Sequence, residues 1–212
     1  MTKIKICGIT RSEDVDYVNK LLPDYISFVF APSRRKINIV KAKKLTLALD
    51  KRIKTVGVFV NENIETVKHI AKTLKLDILQ FHGNEDEDYM ENFKDFTVWK
   101  SIAISVADKN NIVGNQSKIN SISNYPIRAI LMDSNIKGIS GGSGKSFEWN
   151  IIKSLNINKP IILAGGLNIE NITKAIKMVE PYCVDVSSGI EINGIKNFEK
   201  IKKFVDKVRI LK

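Results

Sequence analysis

Short runs of β-branched and aromatic residues alternate along the chain with amphipathic segments rich in Lys and Glu. The runs are Ile4-Lys5-Ile6-Cys7, Ile26-Ser27-Phe28-Val29-Phe30, Thr55-Val56-Gly57-Val58-Phe59-Val60 and Ile78-Leu79-Gln80-Phe81. They continue with Val98-Trp99-Lys100-Ser101-Ile102, Ala129-Ile130-Leu131-Met132, Ile161-Ile162-Leu163 and Cys183-Val184-Asp185-Val186. Their starts lie roughly 20 to 33 residues apart, about one strand, one helix and their loops. Between them, residues 63–74 place Ile64, Val67, Ile70, Ala71 and Leu74 at helical period. Residues 168–179 open on Asn168 as candidate N-cap and carry Ile172, Ala175, Ile176 and Val179. The stretch from Asn197 repeats the pattern with Phe198, Ile201, Phe204, Val205 and Val208. The stretch 105–126 is rich in Asn and Ser and reads as a poor helix with loops.

Strict strand–helix alternation implies a parallel sheet. Eight such units in 212 residues match a single-domain α/β fold, a (β/α)8 TIM barrel over 1–212. A doubly wound open sheet is the alternative on pattern alone. No Pro/Gly/Ser linker divides the chain.

Active sites of such barrels lie where strands end and the following loops begin, and the unusual residues cluster there. Cys7-Gly8 ends the first run, Arg34-Arg35 follows the second, His82-Gly83 ends the fourth and Asp133 the sixth. Gly165-Gly166 follows the seventh run and Ser187-Ser188-Gly189 the eighth. Glycine lets the backbone approach an anion, and a helix N-terminus offers unpaired N–H groups. The loops after strands 7 and 8 commonly form a phosphate site, so Gly165, Gly166, Ser187 and Ser188 are the phosphate-binding candidates. Cys7 reads either as a small buried apolar residue or as a thiolate base. Asp133 reads as a loop cap or as a general acid. Arg34-Arg35 is an exposed basic turn or a bidentate clamp for a carboxylate. His82 is a rim histidine or a substrate contact. His69 reads as surface and Cys183 as core.

Composition narrows the class. With 43% hydrophobic and 27% charged residues the chain is globular. Its longest apolar stretches are strand-sized, so no membrane span is expected, and the first residues lack a secretory signal. Two cysteines make no disulfide framework, which points to a reducing cytoplasm. The net charge of +11 comes from dispersed lysines, with no Arg-rich tract interleaved with aromatics. It reads as solvated surface that also draws in an anionic substrate, and no nucleic-acid partner is expected. No cluster has metal-ligand spacing, so no metal is expected. Gly138-Ile139-Ser140-Gly141-Gly142-Ser143-Gly144-Lys145-Ser146 imitates a P-loop, but the required glycine position is Ile139.

Six motifs in order resemble the phosphoribosylanthranilate isomerase family over essentially the whole chain. They are Lys5-Ile6-Cys7-Gly8-Ile9-Thr10 with Glu13-Asp14, then Val56-Gly57-Val58-Phe59-Val60-Asn61, then Gln80-Phe81-His82-Gly83. Next come Met132-Asp133 with Gly141-Gly142-Ser143-Gly144-Lys145-Ser146-Phe147-Glu148-Trp149, Ala164-Gly165-Gly166-Leu167-Asn168, and Asp185-Val186-Ser187-Ser188-Gly189-Ile190-Glu191. The resemblance implies a cofactor-free Amadori rearrangement of a phosphoribosyl anthranilate in tryptophan biosynthesis. It implies Cys7 as general base, Asp133 as general acid, Arg35 on the anthranilate carboxylate, and phosphate held by the loops at Gly165-Gly166 and Ser187-Ser188. His82 and Asp185, inside these motifs, stand as further substrate-binding candidates. Arg34 stands where many members have Pro, so either Arg34 or Arg35 is left to hold the carboxylate. Ile169 stands where Pro commonly opens the seventh helix. The rival readings are another phosphate-binding barrel enzyme acting on a sugar phosphate and a non-catalytic basic binding protein. A monomer is expected, with a homodimer as the alternative.

Overall fold

The computed structural model describes residues 1–104, 112–133 and 149–211. Eight strands form a closed barrel in chain order: β1 (Lys3–Cys7), β2 (Tyr25–Val29), β3 (Lys54–Phe59), β4 (Ile78–Phe81), β5 (Val98–Ala103), β6 (Ala129–Asp133), β7 (Ile161–Ala164) and β8 (Cys183–Val186). Every neighbouring pair is parallel. The pairing of β1 with β8, through Lys3↔Cys183, Ile4↔Val184, Lys5↔Asp185 and Ile6↔Val186, closes the ring and excludes an open sheet. Each apolar run became a strand whose ends differ by no more than one residue from the sequence expectation. The reason is physical: strands covered on both faces must be apolar at nearly every position.

The two faces build two cores. Outward residues such as Ile4, Ile6, Phe28, Phe59, Leu79, Phe81, Leu163 and Val184 pack against the helical shell. Helix residues Val15, Val18, Val67, Ile70, Ala175, Ile201 and Phe204 belong to the same buried cluster. Fully burying each such side chain is worth about 1.5–3 kcal/mol. Inward residues Tyr25, Val56, Ile78, Trp99, Ala129, Leu131, Ile162, Ala164 and Cys183 fill the barrel, with Tyr25 edge-on to Trp99 at 5.0 Å. At the N-terminal end the Tyr25 and Tyr182 hydroxyls meet at 2.8 Å, and Lys3 Nζ stands 5.5 Å from both ring centres.

The shell comprises α1 (Ser12–Leu21), α2 (Ile39–Ala48), α3 (Ile64–Leu74), α4 (Glu87–Glu91), α5 (Ile112–Ser121), α6 (Asn150–Lys153), α7 (Ile172–Val179) and α8 (Phe198–Ile210). Asn63 caps α3 by accepting from Glu65 N and Thr66 N, and Asn197 caps α8 by accepting from Lys200 N. The expected start of α7 needs correction. Asn168 does not cap it: its Oδ1 accepts from Glu170 N and Asn171 N, closing a turn ahead of the helix. The N-cap is Asn171, and the helix begins at Ile172. Within the poorly patterned stretch 105–126, residues 112–121 are helical and bury Asn115 and Ile119.

One element lies outside the eightfold pattern. After β8 the chain makes a hairpin of β9 (Glu191–Ile192) and β10 (Ile195–Lys196), with Lys196 paired to Glu191. Its turn residues Asn193 and Gly194 both have positive φ, 51° and 79°, as the tight Asn-Gly hairpin turn requires.

Candidate active site

Cys7 ends β1, half-buried, and packs against Val29, Ala31 and Val58 at the C-terminal mouth of the barrel. Gly8 follows with φ of 82°, and its N–H donates to Ser27 O at 3.0 Å. A Cβ at Gly8 would collide with Arg35 Cδ, so this glycine lets the Arg35 side chain lie against the loop after Cys7. Three cations, Lys5, Arg35 and Lys196, stand close enough to Cys7 that a thiolate there would favour their charged forms. Burial pulls Lys5 down, but its ion pair with the Asp185 carboxylate leads the effects that outweigh it, and its ammonium titrates above its ordinary value.

The arginine pair does grip a carboxylate, and it is Glu191. Arg35 binds it bidentately, Nε to Oε1 at 2.8 Å and Nη2 to Oε2 at 2.8 Å. Arg34 Nη2 reaches Oε2 at 3.0 Å, and Lys196 Nζ reaches Oε1 at 2.7 Å. Burial alone would raise the Glu191 pKa; the bonds from Arg35 and Lys196 hold it below the usual carboxylate range instead. Lys196 Nζ also donates to Ser187 O at 3.0 Å, and Ser187 Oγ donates to Cys7 O at 3.2 Å. The clamp and the loop after β8 are therefore one polar network.

Across the mouth, Asp133 ends β6. In the ring order β1-β8-β7-β6 it stands three strands from Cys7. His82 Nε2 lies 3.6 Å from Asp133 Oδ2 and 3.3 Å from Ser101 Oγ. The Gln80 amide nitrogen lies 3.2 Å from His82 Nδ1, so the ring is held between Gln80 on one edge and Ser101 and Asp133 on the other. A buried ion pair, Lys100 Nζ to Glu85 Oε2 at 2.8 Å, anchors the loop after β4, where Glu85 also accepts from Gly83 N and Asn61 N. His82, Gly83, Lys100, Ser101, Ala103 and Asp133 line a cleft of about 490 Å³. A hollow of about 620 Å³ between α6 and α7 is lined by Lys153, Lys174 and Lys177 and contains no strand-end residue. Strand-end chemistry, not size, marks the first cleft as the His82–Asp133 part of the site; Cys7 and Arg35 do not line it.

The loops after β7 and β8 lie side by side. Gly165 and Gly166 have φ of 84° and 64°. Asn168 and Gly189 form a parallel bridge, and a Cβ on Gly189 would collide with the Leu167 carbonyl oxygen. Gly165, Gly166, Ser187 and Ser188 are thus presented on two loops joined backbone to backbone. Asp185 is held by Lys5 Nζ at 2.8 Å; its Oδ1 is buried without a hydrogen-bond partner among the described residues.

The model of the family described as N-(5'phosphoribosyl)anthranilate (PRA) isomerase matches residues 4–207. The chain belongs to this family. An N-(5'-phosphoribosyl)anthranilate isomerase from Thermoanaerobacter pseudethanolicus is 51% identical over 209 residues, covering 99% of this chain and 98% of that one. A crystal structure of phosphoribosyl anthranilate isomerase from Thermotoga maritima superposes with a TM-score of 0.83 at 32% identity, over 99% of each chain. Another, of the isomerase in complex with reduced 1-(O-carboxyphenylamino)-1-deoxyribulose 5-phosphate, has a TM-score of 0.79 at 30% identity, again over 99% of each chain.

In this PRA isomerase fold the candidates read from sequence gather at one mouth: Cys7, Arg35, Asp185 and Ser187 on one side, His82 and Asp133 on the other. His69 is exposed on α3, and Cys183 is buried in the barrel interior, where burial pushes its thiol up. The P-loop imitation at 138–146 and the sixth-loop residues 141–148 lie outside the described residues. Sequence reasoning missed Lys196, and quoted Gln80, Ser101 and Glu191 without giving them a role. The Asn193-Gly194 turn between Ile192 and Ile195 is the signal that would have found the Glu191–Lys196 hairpin. Among the described residues no group of three His, Cys, Asp or Glu side chains is placed to hold a metal ion.

Proposed function

We infer that the chain catalyses the Amadori rearrangement of N-(5-phosphoribosyl)anthranilate to 1-(2-carboxyphenylamino)-1-deoxyribulose 5-phosphate, a step of tryptophan biosynthesis. The observation that carries this reading is a thiol and a carboxyl, Cys7 and Asp133, at the ends of β1 and β6 of one barrel mouth, in a chain matched by the family model from residue 4 to 207.

Asp133 donates a proton to the furanose ring oxygen, and the C1–O bond breaks to leave a protonated Schiff base. Cys7 removes the proton from C2, and the electron pair flows into the iminium, giving an enolamine. Ketonisation then places a proton on C1 and releases one from the C2 hydroxyl. The substrate's nitrogen is the electron sink, so one acid and one base suffice. Arg35 holds the anthranilate carboxylate through charge-assisted hydrogen bonds. Gly165, Gly166, Ser187 and Ser188 receive the phosphate through backbone N–H groups and hydroxyls. Asp185 and His82 are the residues assigned to the ribose.

All these groups come from one chain, so residues 1–212 act as a single catalytic domain and a monomer suffices. Among the described residues no helix is long and apolar enough to cross a membrane. A free thiol base suits a reducing, cytoplasmic setting.

The test is the fluorescence of phosphoribosylanthranilate, generated in situ, after the protein is added. Rapid protein-dependent decay with no added metal or cofactor supports the isomerase; a folded sample that leaves the signal unchanged sinks it.

A further inference from the structure

We propose that Glu191 is the positioning residue for Arg35. Its carboxylate, locked from behind by Lys196, fixes the guanidinium so that the remaining N–H edge meets the carboxylate of the substrate. The proposal rests on the functional reading above and adds to it the group that aims the clamp.

Arginine offers five N–H donors in a rigid plane. Glu191 takes the Nε hydrogen and one Nη2 hydrogen of Arg35, which leaves Nη1 and the second Nη2 hydrogen for a ligand. Glu191 cannot swing away to follow a substrate. Its side chain is 4% exposed, and Lys196, 2% exposed, holds Oε1 at 2.7 Å. The short hairpin puts Glu191 and Lys196 directly opposite each other. On its other side the Arg35 stem lies against Gly8, where any Cβ would collide with it. Arg34 is different: it is 60% exposed and makes one bond to Glu191. Arg35 is therefore the oriented guanidinium and Arg34 a solvent-facing charge. Three cations converge on one carboxylate, so the cluster stays net positive and still attracts an anion. Lys196 also grips Ser187. The chain Arg35–Glu191–Lys196–Ser187 therefore fixes the spacing between the groups that would hold the two anionic ends of the substrate.

The experiment compares kcat/KM on N-(5-phosphoribosyl)anthranilate and on N-(5-phosphoribosyl)aniline, which lacks the carboxylate; each forms in situ from ribose 5-phosphate and the amine. The wild-type chain prefers the carboxylated substrate. Glu191→Gln reduces that preference by about 10–10²-fold, the cost of a misplaced positioning group. Arg35→Ala does the same, and the double variant loses no more preference than Arg35→Ala alone. A Glu191→Gln preference equal to wild type overturns the proposal. So does a lower KM with unchanged kcat, which would make Glu191 a mere neutraliser of charge. If circular dichroism shows Glu191→Gln unfolded by its stranded ammonium, Glu191→Gln/Lys196→Met removes that charge and is read by the same ratio. A wild-type protein inactive on both compounds points to failure of the isomerase reading, not of the positioning.

Discussion

Lys5 and Asp185 form a buried ion pair across the β1–β8 seam, Nζ to Oδ2 at 2.8 Å, with the lysine side chain wholly buried. The pair ties β1 to β8, and the second carboxylate oxygen is buried beside it. Removing one partner of such a pair strands the other charge. Asp185→Asn is expected to lower unfolding free energy by about 3–5 kcal/mol in urea titrations. Adding Lys5→Met to it should recover part of that loss. An unaltered midpoint in the single variant would show that the ammonium finds another partner.

Cys7→Ser and Asp133→Asn each remove one proton-transfer group with little change of shape. Turnover should fall at least about 10²–10⁴-fold in each, with far-UV circular dichroism unchanged. Near-normal turnover in either folded variant would remove that residue from the mechanism.

Gly189→Ala places a methyl group against the Leu167 carbonyl, where backbone must give way. The loops after β7 and β8 should separate, raising KM by about 10-fold or more, as displaced positioning groups do. Inorganic phosphate should also lose strength as a competitive inhibitor. Equal inhibition of variant and wild type would place the phosphate elsewhere.

The Glu191 carboxyl titrates below its ordinary 4.5 in the folded chain because of Arg35 and Lys196, against the pull of burial. A depressed folded value means that its stabilisation is complete above the unfolded value and is lost as pH falls through the folded one. Thermal unfolding of wild type and Glu191→Gln should therefore differ fully at neutral pH and start to converge only as pH falls below about 4.5. A gap that stays constant from pH 7 to pH 3 would refute this origin for the shift.

The strands were legible in the sequence because a barrel strand is buried on both faces and reads as an unbroken apolar run. The strand-end residues followed from the same fact, since Cys7, His82 and Asp133 stand where the apolar runs stop. Glu191 escaped because its partner Arg35 lies 156 residues away in the chain, and no local pattern records that meeting. Asn168 misled because one side chain chemistry serves both turns and helix caps, and Asn171 competed for the cap. Helix α5 was faint because Gly114, Asn115 and Ser117 interrupt its apolar stripe.

The packed interior from Tyr25 to Cys183, stoppered at its far end by Tyr25, Tyr182 and Lys3, makes the barrel a cul-de-sac. Among the described residues, traffic is left the mouth where the strands end. Whatever enters must back out the way it came, and the next molecule waits until it has gone. Product and substrate thus exclude each other by architecture, and the speed of departure sets a ceiling on throughput that no improvement in the proton-transfer step can lift.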